Sequence, residues 1–409
     1  MSNEEHAVSA ELHARVLRFG RASLAAEAPP ESFEQLALAI AAHQRRHNPV
    51  LGRLWTQHGA ARGGAGVADV VSDGVSEVAS ALAHIPAVPA DAFRLGRVAS
   101  FDAAQDSARF QTSGTTGGAG VHPFRTLETY RELSVAWGAR ELFGETVTEP
   151  RGARRWTVLA LAPVFEPERR SSLGYMMQEL MRELDGRALS GADFDACEPG
   201  RWLVTQGRLD REGLARGVAR AHERGERVAV LATSFALSWL LDALGGDRLP
   251  LPAGSVVMQT GGFKGHVRTL DDRELAAATC AALAIRPRQL IGEYGMTELS
   301  SQLYDTGFGC GPDGQSCYRE PPWLRVTPVD PITLLPVAEG EIGLARFTDL
   351  ANVDSSLVIL TQDQVRRVPG GVLLLGRRRG ASLRGCSLAV EALMTPRTEP
   401  LRTESERRP

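Results

Sequence analysis

The residues best suited to chemistry begin at Gln111. The run QTSGTTGGAG places four glycines and five hydroxyl or amide side chains in ten positions. Closely spaced glycines let backbone N–H groups approach an anion, and Ser and Thr hydroxyls add donors, which makes a concavity suited to phosphate. No Gly-Lys-Ser/Thr closes the run, so it is not a Walker sequence. A flexible linker has a similar composition, but strand and helix patterns flank this one.

A second segment, IGEYGMTELS from Ile291 to Ser300, ends a short apolar run in a glycine turn. A strand that stops there sets Tyr294 and Glu298 at the carboxyl edge of a sheet, where open α/β folds bind ligands. Tyr294 can stack on a base and Glu298 can hold Mg²⁺; equally, Glu298 can be an acidic residue at a helix N-terminus. The third feature is compositional. Lys264 is the only lysine, and every other one of the 46 basic residues is arginine. Arginine serves on solvated faces but cannot replace a compact ammonium, so Lys264 in QTGGFKGHVR becomes a candidate for chemistry, against chance retention of one surface lysine.

The elements that must position these residues follow from hydrophobic spacing. Residues 5 to 60 are helix-leaning, interrupted at Pro29 and Pro30, and a further helix is expected from Val70. From Phe101 onward the apolar runs WTVLALAPV, RVAVLATS, GSVVMQTGG and RQLIGEYG alternate with the helical stretches YRELSVAWGARELF, RSSLGYMMQELMREL and DRELAAATCAALA. This alternation predicts an α/β fold with a largely parallel sheet. After about Arg325, short strand-like runs separated by Pro, Gly and Asp predict a small β subdomain. The expected organisation is a helical segment at 1–100, an α/β core at 101–325, the β subdomain at 326–376 and a C-terminal segment and tail at 377–409.

Composition narrows the function classes. With 43% hydrophobic and 23% charged residues the chain is globular. A net charge of −3 lacks the basic excess that nucleic acid requires. Five cysteines form no paired framework and the N-terminus does not read as a signal peptide, so a cytoplasmic location is expected. The apolar stretch from Val228 to Leu244 contains Thr233, Ser234, Ser238 and Asp242 and divides into a strand and a helix, so no membrane span is expected. Cys310 and Cys317, in CGPDGQSC, have no second pair to complete a zinc site.

TSGTTG followed far downstream by YGMTE resembles the adenylate-forming superfamily, whose members join a carboxylate to AMP from ATP before passing the acyl group on. Further matches come in the superfamily's order: Gly340 and Glu341 in EGEIGLAR, Asp363 in LTQDQ, and Gly376 and Arg377 in LGRRRG. From Ile85 to Leu393 the chain is more closely similar to the acyl-protein synthetase branch, the LuxE-like fatty acid to protein ligases, and to adenylating proteins of phenazine antibiotic assembly. IPAVPADAF, TGGFKG, PPWLRV, DPITLLP, DLANVDSS and GRRRGASLRGCSL carry that likeness.

The resemblance implies the superfamily's large α/β domain and places Thr112, Ser113, Gly114, Thr115, Thr116 and Gly117 on the ATP phosphates. It sets Tyr294 and Gly295 against adenine, Thr297 near the α-phosphate, Glu298 with Thr116 on Mg²⁺, and Asp363 with Arg377 at the ribose hydroxyls. Asp363 also suits a hairpin turn. Two departures stand out. Superfamily members often follow the glycine loop with Pro-Lys-Gly, where this chain has Ala119, Gly120 and Val121. They also add a C-terminal lid with a lysine, whereas the 32 residues after Arg377 contain none, so the lid is expected to be absent or vestigial. Lys264 then becomes the expected catalytic cation, bridging carboxylate and phosphate. Cys386 in RGCS matches the cysteine that receives the acyl group in acyl-protein synthetases, with Arg384 lowering its pKa; a small buried core cysteine is the competing reading.

The expected function is ATP- and Mg²⁺-dependent activation of a fatty or aryl carboxylic acid as acyl-AMP, then transfer to a thiol of a protein cysteine, a carrier protein or CoA. A non-catalytic nucleotide-binding relative is the competing expectation. Phe165, Tyr175, Met176, Ser234, Phe235 and Gly292 are expected near the acyl pocket, at strand ends or on the helices that follow.

Overall fold

The computed structural model describes residues 3–61, 82–112, 119–144, 156–185, 201–261, 272–308 and 316–377. The helix expected from Val70 and the chain beyond Arg377 lie outside them. Three helices open the chain: α1 (Asn3–Leu24), α2 (Phe33–His47) and α3 (Pro49–Ala61). Pro29 and Pro30 fall between the first two, and Ser32 starts α2 through a reciprocal capping box with Gln35. There follow β1 (Val88–Pro89), the hairpin β2 (Ala108–Gln111) and β3 (Val121–Phe124), then α4 (Glu128–Phe143), β4 (Trp156–Leu161) and α5 (Ser172–Leu184). A second small hairpin, β5 (Val204–Thr205) and β6 (Arg208–Leu209), leads into α6 (Arg211–Arg224), β7 (Arg227–Thr233), α7 (Ser234–Leu244), β8 (Val256–Thr260), α8 (Asp272–Leu283) and β9 (Leu290–Tyr294). The remaining strands are β10 (Leu303–Phe308), β11 (Ser316–Arg319), β12 (Leu324–Val329), β13 (Ile342–Asp349), β14 (Val358–Val368) and β15 (Gly371–Arg377).

The strands β4, β7, β8 and β9 pair in parallel, as their unbroken apolar runs predict. The later strands are antiparallel and join them in one sheet, in the order β12-β13-β14-β15-β11-β10-β9-β8-β7-β4, with β1 beside β14. Side-chain alternation divides the core. Trp156, Val158, Ala160, Leu231, Met258 and Ile291 face one cluster with α1, α2, α4 and α5. Leu159, Leu161, Val228, Val230, Val257 and Leu290 face the other, with α6, α7 and α8. Sequence reading did not anticipate α6, β10 or β11. The first is rich in arginine with a narrow apolar stripe of Leu214, Val218 and Ala221, and the two strands are short and polar.

Two N-terminal helices share one buried carboxylate partner, Asp354. Asp354 accepts hydrogen bonds from Ser9 Oγ at 2.9 Å and His13 Nε2 at 3.0 Å on α1. His43 Nε2 on α2 is 3.4 Å away and Arg125 Nε 3.5 Å. Burial alone would raise this carboxyl's pKa, but the His13 hydrogen bond and its cationic surroundings outweigh burial and hold it below the usual carboxylate range.

Candidate active site

Two of the three sequence segments meet. The hydroxyl- and glycine-rich run leaves the β2–β3 hairpin and returns at one place: Thr112 N–H donates to the Gly120 carbonyl at 2.9 Å, and Gly120 N–H donates to Thr112 Oγ1 at 2.8 Å. At that root Thr297 Oγ1 donates to the Gln111 carbonyl at 3.4 Å and lies 3.4 Å from Ser172 Oγ on α5. His122, one residue into β3, binds the Thr297 carbonyl through Nδ1 at 2.7 Å. Burial drops the His122 pKa to about 4, so the ring is neutral at pH 7 and Nδ1–H is the donor. Ser113, Gly114, Thr115, Thr116 and Gly117 lie outside the described residues.

The turn after β9 is fixed from below by the loop DLANVDSS. Asp349 accepts from Ser300 N–H at 2.9 Å, Ser301 Oγ at 2.7 Å and Ala351 N–H at 3.0 Å. Asn352 Nδ2 donates to the Glu298 carbonyl at 2.9 Å while its Oδ1 accepts from Ser300 Oγ at 2.6 Å. Burial raises the Asp349 pKa to about 6 despite these donors. Residues 297–298 form a turn and no helix follows, so the reading of Glu298 as a helix N-terminal charge is withdrawn. A Cβ on Gly295 would stand 2.5 Å from Glu293 Oε1, so any larger residue there would have to displace that carboxyl.

Asp363 joins the same edge. It lies inside β14 opposite Arg377 of β15 rather than in a hairpin turn, so the turn reading is also corrected. It accepts from the Tyr294 hydroxyl at 2.7 Å and from Arg377 Nε at 3.2 Å. Burial, then the Asp363 charge, pushes the Tyr294 hydroxyl pKa well up, so it remains a donor. The Tyr294 ring stacks on Phe347 with centroids 5.8 Å apart.

Lys264 and Cys386 lie outside the described residues. The strand that leads to Lys264 is described: β8 runs beside β9, Thr260 pairs with Glu293, and Gly261 follows at φ 68° with its carbonyl accepting from Ser234 Oγ. The residues suggested for the acyl pocket divide between the two faces of the sheet. Phe165, Tyr175 and Met176 stand on the α4/α5 side, whereas Ser234 caps β8 from α7, and a Cβ on Gly292 would meet the Tyr318 hydroxyl. Cys317 is disulfide-bonded, to a partner beyond the described residues, against the expectation that the five cysteines form no paired framework. Among the described residues no group of three or more His, Cys, Asp or Glu could hold a metal ion, and no helix is long and apolar enough to cross a membrane.

Sequence reading missed His122, Asp349, Asn352 and Glu293. Glu293 carried a signal, being an acidic residue inside the apolar run LIGEY at the alternation of Ile291.

No protein-family model matches the chain. A long-chain-fatty-acid–luciferin-component ligase of Vibrio harveyi is 21% identical over 338 residues, spanning 80% of this chain and 82% of that one. The protein of the same name from Aliivibrio fischeri is 24% identical over 213 residues, 47% of this chain and 52% of that one. Among solved structures, an open conformation of 2-hydroxyisobutyryl-CoA ligase in complex with 2-HIB-AMP and CoA superposes with a TM-score of 0.54, 15% identity and coverage of 86% of this chain and 76% of that one. The same ligase in its thioesterification state gives 0.54 and 15%, over 94% and 71% of the two chains. The chain thus shares the fold of 2-hydroxyisobutyryl-CoA ligase and is similar in sequence, along most of its length, to a luciferin-component ligase.

Proposed function

We propose that the protein activates a carboxylic acid with ATP as acyl-AMP and passes the acyl group to a thiol. The observation that carries this is the joining of the phosphate-type loop root to the Thr297 turn, with Tyr294, Asp363 and Arg377 linked on the same sheet edge. In the first step a substrate carboxylate oxygen bonds to the α-phosphorus and the bond to pyrophosphate breaks. N–H and hydroxyl donors of residues 112–117 hold the phosphates, and the Thr297 hydroxyl, held against the loop root, donates to the α-phosphate as charge builds. Asp363 accepts from the ribose hydroxyls with lone pairs not taken by Tyr294 and Arg377. Lys264, three residues past Gly261 in sequence, would supply an ammonium that reduces the repulsion between the carboxylate and phosphate anions.

Glu298 and Thr116 would hold Mg²⁺, whose charge would offset that of departing pyrophosphate. A single carboxylate suits an ion that keeps most of its waters. In the second step a thiolate sulfur bonds to the acyl carbon and AMP leaves. Cys386, a partner protein, a carrier protein or CoA can supply that thiol, and the proteins this chain resembles include a luciferin-component ligase in sequence and a CoA ligase in fold.

Carboxylate-dependent exchange of labelled pyrophosphate into ATP, over fatty and aryl acids, tests this reading. Exchange with at least one acid is expected. ATP binding without exchange for any acid favours a nucleotide-binding protein that does not turn over.

A further inference from the structure

The face of the sheet toward α4 and α5 carries an unusual set of buried side chains next to the catalytic edge. Alternation from Met258 and Ile291 puts Thr260 and Glu293 on this face, and Glu293 pairs in register with Tyr304 on β10. Glu293 is only 6% exposed, and its Oε2 accepts from Thr260 Oγ1. No basic side chain pairs with it among the described residues. Gln302 is equally buried; its Nε2 donates to the Tyr130 hydroxyl at 3.3 Å, but its Oε1 has no partner among the described residues. Both side chains border Gly295, where a Cβ would stand 2.5 Å from Glu293 Oε1 and 3.5 Å from Gln302 Cγ, and no donor among the described residues meets Gln302 Oε1.

The surroundings set the size and character of what could supply a donor. Phe110, Phe124, Tyr130, Tyr175 and Phe165 form a chain of ring contacts with centroids 5.2 to 5.8 Å apart, beginning one residue before Gln111. Tyr304, across the strand pair from Glu293, is fully buried: its hydroxyl meets Met176 Sδ at 4.0 Å, and a Cβ on Gly138 would stand 3.2 Å from it. A cluster of packed rings beside two buried acceptors does not match a long alkyl chain. Its methylenes would offer no donor to Gln302 Oε1.

We propose, building on the adenylation reading, that the acid taken by this site is a compact aromatic acid bearing a hydroxyl or amino donor, with Glu293 and Gln302 Oε1 accepting its hydrogen bonds. The named relatives act on long-chain fatty acids, so the proposal separates this chain from them. A site built around a hydrogen-bonded substituent discriminates strongly against the analogue that lacks it.

The test compares tetradecanoate, benzoate, hydroxybenzoates and aminobenzoates in two assays: pyrophosphate exchange, and calorimetric binding in the presence of α,β-methylene-ATP. Hydroxy- or aminobenzoates are expected to exceed the other two by about 100-fold in kcat/KM and to bind more tightly. Which of the two series wins identifies the donor. Glu293→Leu should remove that advantage, and Glu293→Gln, which keeps an acceptor, should retain part of it. Selection of tetradecanoate or benzoate, or a Glu293→Leu protein that discriminates like wild type, would overturn the substrate class and leave adenylation standing. Preferential binding of the donor-bearing acids without exchange would uphold the substrate class and remove adenylation. No binding of any acid would overturn the substrate class.

Discussion

Glu293 is a carboxyl held in apolar surroundings, and burial raises its pKa to about 7 from an ordinary value of 4.5. Because the folded state favours its protonated form, its contribution to stability is complete below about pH 4.5 and is lost as pH rises through 7. Chemical denaturation of wild type and Glu293→Gln at pH 4.5 and 8 should therefore show the variant gaining on the order of 3 kcal/mol relative to wild type at the higher pH. An unchanged difference would contradict a carboxyl buried without a countercharge. Asp363 gives a functional counterpart. Its carboxylate is partly exposed and its one core-packed partner is the Tyr294 hydroxyl, so Asp363→Ala should raise the KM for ATP in pyrophosphate exchange by about 10- to 100-fold with a smaller loss of stability than a core substitution. Tyr294, Thr297, Glu298 and Asp363 were legible in the sequence because a motif names them. Glu293 and His122 acquire meaning only from what stands across the strand or the turn: Thr260 and Tyr304 for the first, the Thr297 carbonyl for the second.

At the scale of elements, the turn 295–302 cannot support its own backbone. Its Ser300 N–H and Glu298 carbonyl find partners on the β13–β14 connection, 49 and 54 residues away in sequence. Asn352→Ala would leave the buried carbonyls of Glu298 and Ser356 unpaired, at a cost of about 2 to 4 kcal/mol. With Glu298 no longer set, kcat for exchange should fall by at least about tenfold while the KM for ATP moves less. Equal kcat in wild type and variant would remove Asn352 as a positioning residue. The parallel strands β4, β7, β8 and β9 were readable as unbroken apolar runs with helical stretches between them. β10 and β11 were not, since each is short and carries polar residues. Their pairing is imposed by β9 on one side and β15 on the other rather than by their own composition.

For the whole molecule, Asp354 connects the N-terminal helices to the loop that supports the site. Removing it would leave buried Arg125, with His13 and His43, facing no anion; losing one partner of a buried charge pair typically costs about 3 to 5 kcal/mol. Hydrogen exchange on Asp354→Ala should show faster exchange along α1 and the first half of α2 than in wild type, with β4, β7 and β8 unchanged. Uniform acceleration across the sheet would mean that the helices and the sheet open as one unit. The helical character of this segment was legible in its spacing. Its attachment was not, because it depends on residues 341 and 345 positions apart. The central claim joins all three scales: residues 112–117, the Tyr294–Glu298 turn and Lys264 surround one nucleotide. A crystal structure with a non-hydrolysable acyl-sulfamoyl adenosine tests it most directly. The predicted result has adenine against Tyr294, the ribose on Asp363, and the sulfamate between Thr297 and the 112–117 loop with Lys264 in contact. The analogue bound away from Tyr294 and Thr297, or Lys264 facing solvent on another surface, would contradict it.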